Sequence, residues 1–329
     1  MKEILDKIGN TPLIEFSGQV PNNNRILFKL ECDNPFGSHY DRVYLSLFEH
    51  FKETGVLKPG CTVLETTSGS AGVSFAGIGR ILGYKCLVAI PAGGEKAREK
   101  AIQREGAELI FTPAEAYVPG FKKFLPRFLA KNRDIVFLNH SMGPFGTENR
   151  MAVDALGGIA TELQHQLSSI DCFVVAVGNG SSILGPGRVF KHRSELIAFE
   201  SFSSGVGHEM LYPGEYQRMY GILPGSLPRH KLPGTSWPGM EFPHVRLAFK
   251  DERLVKDLML VSDSATDKHY HFVTGRNIPA TLPRWDAHEL HPYGRTTRAG
   301  LSVALKVAEQ VQGRNIVLIA YDKEDRYDS

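Results

Sequence analysis

The chain has 329 residues, 42% hydrophobic and 22% charged, an ordinary globular balance with enough length for two domains or one large α/β unit. Its formal net charge is +2 with no block of like charges, so there is no electrostatic case for nucleic acid or membrane binding. Cys32, Cys61, Cys86 and Cys172 form no C-x-x-C pair and read as free, mostly buried thiols. With no apolar signal segment after Met1 and no apolar run near the ~20 residues of a membrane span, the expectation is a cytoplasmic protein.

In chain order the pattern alternates strands and helices. Arg25 to Glu31 is a short apolar strand, and Val43 to Thr54 has helical spacing. Thr62 to Glu65 reads as a strand, Gly72 to Leu82 as an apolar helix, and Lys85 to Ile90 as a buried strand. Glu95 to Glu105 is a charged helix, Glu108 to Phe111 a strand, Gly120 to Lys131 a helix and Ile135 to Asn139 a strand. A longer helix follows from Arg150 to Leu167, then the apolar strand Cys172 to Val177. Leu196 to Phe199 and Asn315 to Ala320 are further strands, with an amphipathic helix from Ala299 to Gln312. Strands separated by helices of this length imply βαβ units and parallel sheets. Proline and glycine between Tyr212 and Pro243 predict loops and short turns, and the polar stretch Asp263 to Gly294 fits no regular element.

Two loops carry chemistry. Gly178-Asn179-Gly180-Ser181-Ser182 follows a buried strand and opens a helix. Glycines let the backbone wrap a phosphate, and N–H groups with serine hydroxyls donate to it. The plain alternative is a tight strand-to-helix turn. Thr66-Thr67-Ser68-Gly69-Ser70-Ala71-Gly72 also joins a strand to a helix. Its hydroxyls and N–H groups suit a carboxylate, or Ser68 or Ser70 simply caps the helix. His269, His271, His288 and His291, with Asp286 and Glu289, have permissive metal spacings but read as loop residues, so no metal is expected. There is no nucleophile elbow and no Walker A loop.

Six segments in order resemble one family. Ile8-Gly9-Asn10-Thr11-Pro12-Leu13 is similar to the start of cysteine synthases, and Asn34-Pro35-Phe36-Gly37-Ser38-His39-Tyr40-Asp41-Arg42 to their cofactor-lysine segment. Glu65 to Gly72 resembles their carboxylate loop, and Gly83-Tyr84, Pro91, Arg98 and Gly106-Ala107 keep family-like spacing. Gly178 to Ser182 resembles the cup for the phosphate of pyridoxal phosphate (PLP), and His230-Lys231-Leu232-Pro233-Gly234 a further family segment. The chain is identified as a divergent member of the fold-type II PLP superfamily, of cysteine synthase and tryptophan synthase β type. The resemblance implies a two-domain α/β fold with parallel sheets flanked by helices. Residues 1–44 and 140–329 would form the larger domain with the phosphate loop, and 45–139 the smaller one, with the ligand cleft between them and a homodimer as the assembly. It also implies that the N-terminal strand region crosses into the larger domain.

The departures fall at the cofactor. Tyr40 replaces the Schiff-base lysine, and a phenol cannot form that bond. Ser70 replaces the asparagine that meets the PLP ring oxygen, and Ala299 or Arg298 stands where a serine meets the ring nitrogen. PLP, if held, would be non-covalent, on Gly178, Asn179, Gly180, Ser181, Ser182, Ser70 and the Ala299 region. The substrate carboxylate would lie on Thr67, Ser68, Gly69, Ser70 and Ala71. Tyr40 and His39 are the acid/base candidates, with His39 and Arg42 placed to lower the Tyr40 phenol from ~10. The alternative is a space-filling Tyr40 in a closed pocket. Lys231 is the lysine to consider as a substitute. The functions in view are β-elimination or β-replacement chemistry without the lysine, or a catalytically silent relative that binds a ligand or partner.

Overall fold

The computed structural model describes residues 2–67, 69–141, 149–191, 193–228, 230–232, 234–238, 242–262, 273–276, 278–281 and 293–328. Ser68, Pro233 and the His269, His271, Asp286, His288, Glu289 and His291 group lie outside the described residues.

The strands and helices in chain order are β1 (Leu13–Glu15), β2 (Arg25–Lys29), α1 (Tyr40–Glu53), β3 (Thr62–Thr66), α2 (Ala71–Ile81) and β4 (Lys85–Pro91). They continue with α3 (Lys96–Arg104), β5 (Glu108–Thr112), α4 (Phe121–Lys131), β6 (Val136–Phe137), α5 (Arg150–Gln166) and β7 (Cys172–Ala176). The rest are α6 (Ser181–Phe190), β8 (Glu195–Ser201), α7 (Val206–Leu211), α8 (Glu215–Tyr220), β9 (Val255–Val261), β10 (Val273–Gly275), β11 (Ile278–Thr281), α9 (Arg295–Ala308) and β12 (Asn315–Ile319). The chain divides into two compact units: residues 1–11, 31–156 and 322–329, and residues 12–30 and 157–321.

The first unit holds a four-stranded sheet in the order β5-β4-β3-β6, parallel throughout. Strand β3 is buried over Val63 to Thr66, as expected of a parallel strand covered on both faces. Helix α2 is hydrophobic almost all round because Ala71 to Gly79 are buried. Gly77 lets the loop before α1 approach, since a Cβ there would sit 2.2 Å from the Phe36 ring. Residues 31–44 belong to this unit along with 45–139, because α1 begins at Tyr40 and buries Val43, Tyr44, Leu47 and Phe48.

The second unit holds an eight-stranded sheet in the order β1-β2-β12-β7-β8-β9-β10-β11. Strands β2, β12, β7, β8 and β9 run parallel, and antiparallel pairs close both ends. Strand β2 thus joins the sheet of the later chain, through Arg25 to Lys29 against Asn315 to Ile319. Phe173, Val174 and Val175 of β7, with Leu258 and Leu260 of β9 and Val303 and Ala304 of α9, are fully buried. Burying an aliphatic or aromatic side chain contributes about 1.5–3 kcal/mol, so this layer dominates the unit's stability. No helix among the described residues is long and apolar enough to cross a membrane.

Strands β9, β10 and β11 and the short helix α8 have no counterpart in the sequence-based expectation. Strand β9 has two adjacent charged residues, Lys256 and Asp257, followed by a continuous apolar run, and α8 lies between glycines Gly214 and Gly221 that adopt φ of 76° and 72°. The expected helix from Ala299 in fact starts four residues earlier, at Arg295.

Candidate functional site

In the second unit, β7 feeds the Gly178–Ser182 loop directly into the N-terminus of α6. Gly178 and Gly180 take φ of +47° and +92°, the left-handed region that favours glycine. At Gly180 a Cβ would also lie 2.4 Å from the Val245 amide nitrogen. Asn179 Oδ1 accepts from the Ser181 N–H at 3.0 Å and the Ser181 hydroxyl at 2.5 Å. Ser181 therefore serves the loop's own shape. The hydroxyl of Ser182 makes no hydrogen bond among the described residues, and its N–H is one of the orphan donors of a helix start. Ten residues of α6 back it with the positive end of their dipole.

Two neighbouring segments complete this end of the unit. His230 is buried and stacks on Trp237 with ring centres 3.9 Å apart. Its Nε2 donates to the Ser236 carbonyl at 2.6 Å, and its Nδ1 accepts from the Leu232 N–H at 3.2 Å. These bonds fix the course of residues 230–236. A Cβ on Gly178 would meet the Gly234 carbonyl at 3.1 Å, and one on Gly234 would meet Thr296 Oγ1 at 2.6 Å. The phosphate-loop glycine, Gly234 and the first turn of α9 are thus in near contact. Thr296 is 2% exposed and its hydroxyl has no hydrogen-bond partner among the described residues.

An orphaned buried hydroxyl costs about 1–3 kcal/mol, and that cost invites a ligand group. Thr296 was missed by the sequence pattern, which centred on Ala299. Ala299 is buried and offers only a methyl group. Thr296 and Ala299 share a helix face three residues apart. The signal was present in the adjacent hydroxyls Thr296-Thr297, which follow Gly294 as a pair. Thr297 is already committed, accepting from the Tyr321 N–H at 3.0 Å.

In the first unit, Glu31 anchors the segment around Tyr40. Its carboxylate, fully buried, accepts from Arg42 Nε at 2.7 Å and Nη2 at 2.8 Å. It also accepts from Thr11 Oγ1 at 2.7 Å and Asn34 Nδ2 at 3.0 Å. Arg42 is thus paired with Glu31. Asp41 accepts from the Phe36 N–H at 2.7 Å and the Ser74 hydroxyl at 2.6 Å. Burial pushes its carboxyl up to about 7 against these bonds.

Tyr40 is half-buried. Its ring lies 4.2 Å from that of His39 and 5.3 Å, edge-on, from that of His140. Burial, with the charges of Arg42 and His140 secondary, pushes His39 down to about 3. His39 is thus a neutral imidazole near neutral pH. Beside Tyr40 lies a buried trio that the sequence did not reveal. His140 Nδ1 is 3.0 Å from the Tyr44 hydroxyl and 3.3 Å from Glu65 Oε1. Glu65 Oε2 accepts from the His140 N–H at 3.1 Å, and Oε1 from the Thr66 N–H at 2.8 Å. Burial drives the Tyr44 phenol well up, so it remains a donor.

The carboxylate-loop candidates lie at the start of α2. Thr67 Oγ1 accepts from the Gly69 N–H at 3.0 Å. Ser70 stands at the helix start without capping it. Its hydroxyl donates instead to Asp322 Oδ2 at 2.7 Å. Asp322 also receives the Tyr327 hydroxyl at 3.0 Å and lies 3.8 Å from the buried Arg98 guanidinium, which packs 4.5 Å from the Tyr327 ring centre. Ala71 is buried.

Among the described residues the buried lysines are Lys29 and Lys306. Lys29 is bound to Glu162 at 2.6 Å and Gln166 at 3.0 Å, and Lys306 to Glu309 at 2.5 Å. Lys231 is exposed. Among the described residues no His, Cys, Asp and Glu cluster can hold a metal ion, and the four cysteines are free.

The model of the pyridoxal-phosphate dependent enzyme family matches residues 4–226. The chain belongs to this family. It is 28% identical over 329 residues to a probable cysteine synthase of Bacillus subtilis, covering 98% of this chain and 94% of that one. It is 30% identical over 232 residues to a cysteine synthase of Staphylococcus aureus, covering 67% and 72%. Among solved structures, a hydrogen sulfide-producing enzyme from Fusobacterium nucleatum superposes with a TM-score of 0.78 over 99% of both chains at 24% identity, a likeness of fold. The fold-type II α/β architecture and the cysteine-synthase-like membership expected from the sequence are both shown.

Proposed function

We propose that this protein binds an amino acid or related carboxylate together with a phosphate-bearing group, in a cysteine-synthase-like site that works without a Schiff-base lysine. The observation that carries this reading is the glycine-built Gly178–Ser182 loop in the same unit as Thr296, whose hydroxyl has no partner among the described residues, where the buried lysines described are both paired. The residues of the second unit fit PLP. The phosphate would take the Ser182 N–H and hydroxyl and the α6 dipole, with Gly178, Asn179, Gly180 and Ser181 shaping the cup. Thr296 would meet the ring nitrogen, with Ala299 packing one turn along. Bound PLP supplies an electron sink for β-elimination or β-replacement. The carboxylate would lie on Thr67, Ser68, Gly69, Ser70 and Ala71, and Tyr40, with neutral His39 packed against it, would close the site as proton donor. The assembly proposed with it is a homodimer, which light scattering would test.

A catalytically silent, ligand-binding relative is the second reading. It is favoured by the first unit, where Thr67 and Ser70 already spend their hydroxyls on the chain itself. One titration tests both. Purified protein is titrated with PLP, reduced with borohydride and mapped for pyridoxyl-lysine. Saturable binding without a modified peptide is expected. Stoichiometric pyridoxyl-lysine on any peptide would overturn lysine-independent binding. No PLP uptake, with melting still shifted by inorganic phosphate or L-serine, would select the silent relative.

A further inference from the structure

A buried histidine with one nitrogen tied to a carboxylate is a common way to present the other nitrogen as a base. His140 has this arrangement. It follows β6 and is 5% exposed, and Glu65, at the end of β3, is fully buried. Glu65 meets His140 twice, at the backbone N–H and at Nδ1. With no buried cation bonded to it, the Glu65 carboxylate relies on N–H and O–H donors: Thr66, His140 and the Tyr44 phenol. Where the Tyr44 hydroxyl donates to Glu65, the ring proton sits on Nδ1, 3.3 Å from that carboxylate and 3.0 Å from the Tyr44 oxygen. Nε2 is then unprotonated, and it makes no hydrogen bond among the described residues. The Tyr40 ring stands edge-on to the same imidazole. The charged and titratable groups around it are Glu65, Tyr44, Tyr40, the neutral His39 and Arg42, the last held by Glu31.

We propose that His140 is the proton-transfer residue of this site, oriented by Glu65 and Tyr44, and that it supplies the base which the missing lysine leaves vacant. This deepens the function proposed above and rests on it. Nε2 takes a proton from the bound amino acid and becomes imidazolium. Its Nδ1–H stays on Glu65, whose negative charge holds the cation, and the proton returns from Nε2 as product forms. Tyr40 packs on the ring and limits its rotation.

Two measurements test this. In protein labelled with ¹⁵N-histidine, with His140 assigned by its loss in His140→Asn, the Nδ1–H tautomer is expected, and Glu65→Gln should weaken it. An Nε2–H tautomer in the unaltered protein would overturn the relay. In D₂O with PLP, deuterium entering the α-carbon of L-serine reads the base itself. His140→Ala should lower that rate at least ~100-fold, with partial recovery on adding imidazole. Unchanged exchange in His140→Ala, or a loss that imidazole does not repair, would overturn the assignment. So would unaltered protein that binds PLP and L-serine yet exchanges nothing. Protein that binds neither fails the proposed function instead, and the tautomer alone then decides the relay.

Discussion

The two anion loops of this chain look alike in sequence and differ in what their donors do. In the second unit, Ser181 supports the loop from inside, and Ser182 and Thr296 are left with open hydroxyls. In the first unit, Thr67 folds onto Gly69, and Ser70 is tied to Asp322, Arg98 and Tyr327. One loop leaves hydroxyls without partners among the described residues, while the other is partly satisfied by the chain's own C-terminal residues. Similar residue types at similar spacing therefore do not carry equal binding capacity. The partner of each donor decides, and partners are set by tertiary contacts.

The largest effect belongs to the anchor of the first unit. Arg42→Met removes the bidentate partner of Glu31 and leaves a carboxylate buried among Thr11 and Asn34. Breaking one side of a buried pair costs about 3–5 kcal/mol, so denaturant unfolding should lose about that much. A loss below ~1 kcal/mol would mean that the pair contributes no more than a surface bridge. Glu31→Gln with Arg42→Met should recover part of it, since no unpaired charge then remains.

Gly180→Asp is the corresponding change in the second unit. It puts a side chain against the Val245 amide, in a backbone region that L-residues rarely adopt, and adds a negative charge at the anion cup. Phosphate or PLP should bind at least ~100-fold more weakly by calorimetry. The matched change in the first unit, Ser70→Ala, should alter phosphate binding little. Equal losses from both would erase the contrast between the loops.

A smaller effect separates two neighbours in the Tyr40 segment by sign. His39 is held near 3 against an ordinary 6.5, so the unfolded chain binds its proton first as pH falls. Its contribution is present above about 6.5 and is lost as pH falls toward about 3. Asp41 is raised from 3.8 to about 7, so its contribution is present below about 3.8 and is lost as pH rises through about 7. The two slopes oppose each other between pH 4 and 6.5. His39→Asn removes one of them, and stability measured by urea unfolding should then rise on acidification across that window. A variant that still loses stability from pH 6.5 to 4 would show that His39 does not carry the acid-side slope.

Much of the fold was legible because parallel strands such as β4 and β7 are continuous apolar runs, and their helices are spaced as βαβ units require. The loops of the site were legible for the same reason: glycines and hydroxyls sit between a buried strand and a helix. The partners of four residues were not. Thr296 was hidden because an unpaired hydroxyl looks like any other threonine until its neighbours are known. His140 and Glu65 are 75 residues apart and meet only because β3 and β6 pair in register at Val63 and Val136. Asp322 is 252 residues from Ser70. Spacing along the chain carries none of these pairings.

The smallest expected change is the most diagnostic for the contrast between the loops. Tyr40→Lys restores the amine that the family uses, into a ring environment of His39, Tyr44 and His140. If only the lysine had been lost, PLP added to this variant should give a yellow protein that borohydride fixes on residue 40. Under the proposed function the second unit would permit it, since the Gly178–Ser182 loop and Thr296 would hold the cofactor. The first unit argues the other way. Ser70 is bonded to the Asp322 carboxylate, and if Ser70 meets the ring oxygen, as the family resemblance implies, an anion there disfavours that oxygen's own negative charge. The expected result is therefore no visible band in Tyr40→Lys, and the appearance of one in Tyr40→Lys combined with Ser70→Asn and Asp322→Ser. A bright band in the single variant would show that the first unit kept its cofactor surface and that the loss at residue 40 stands alone.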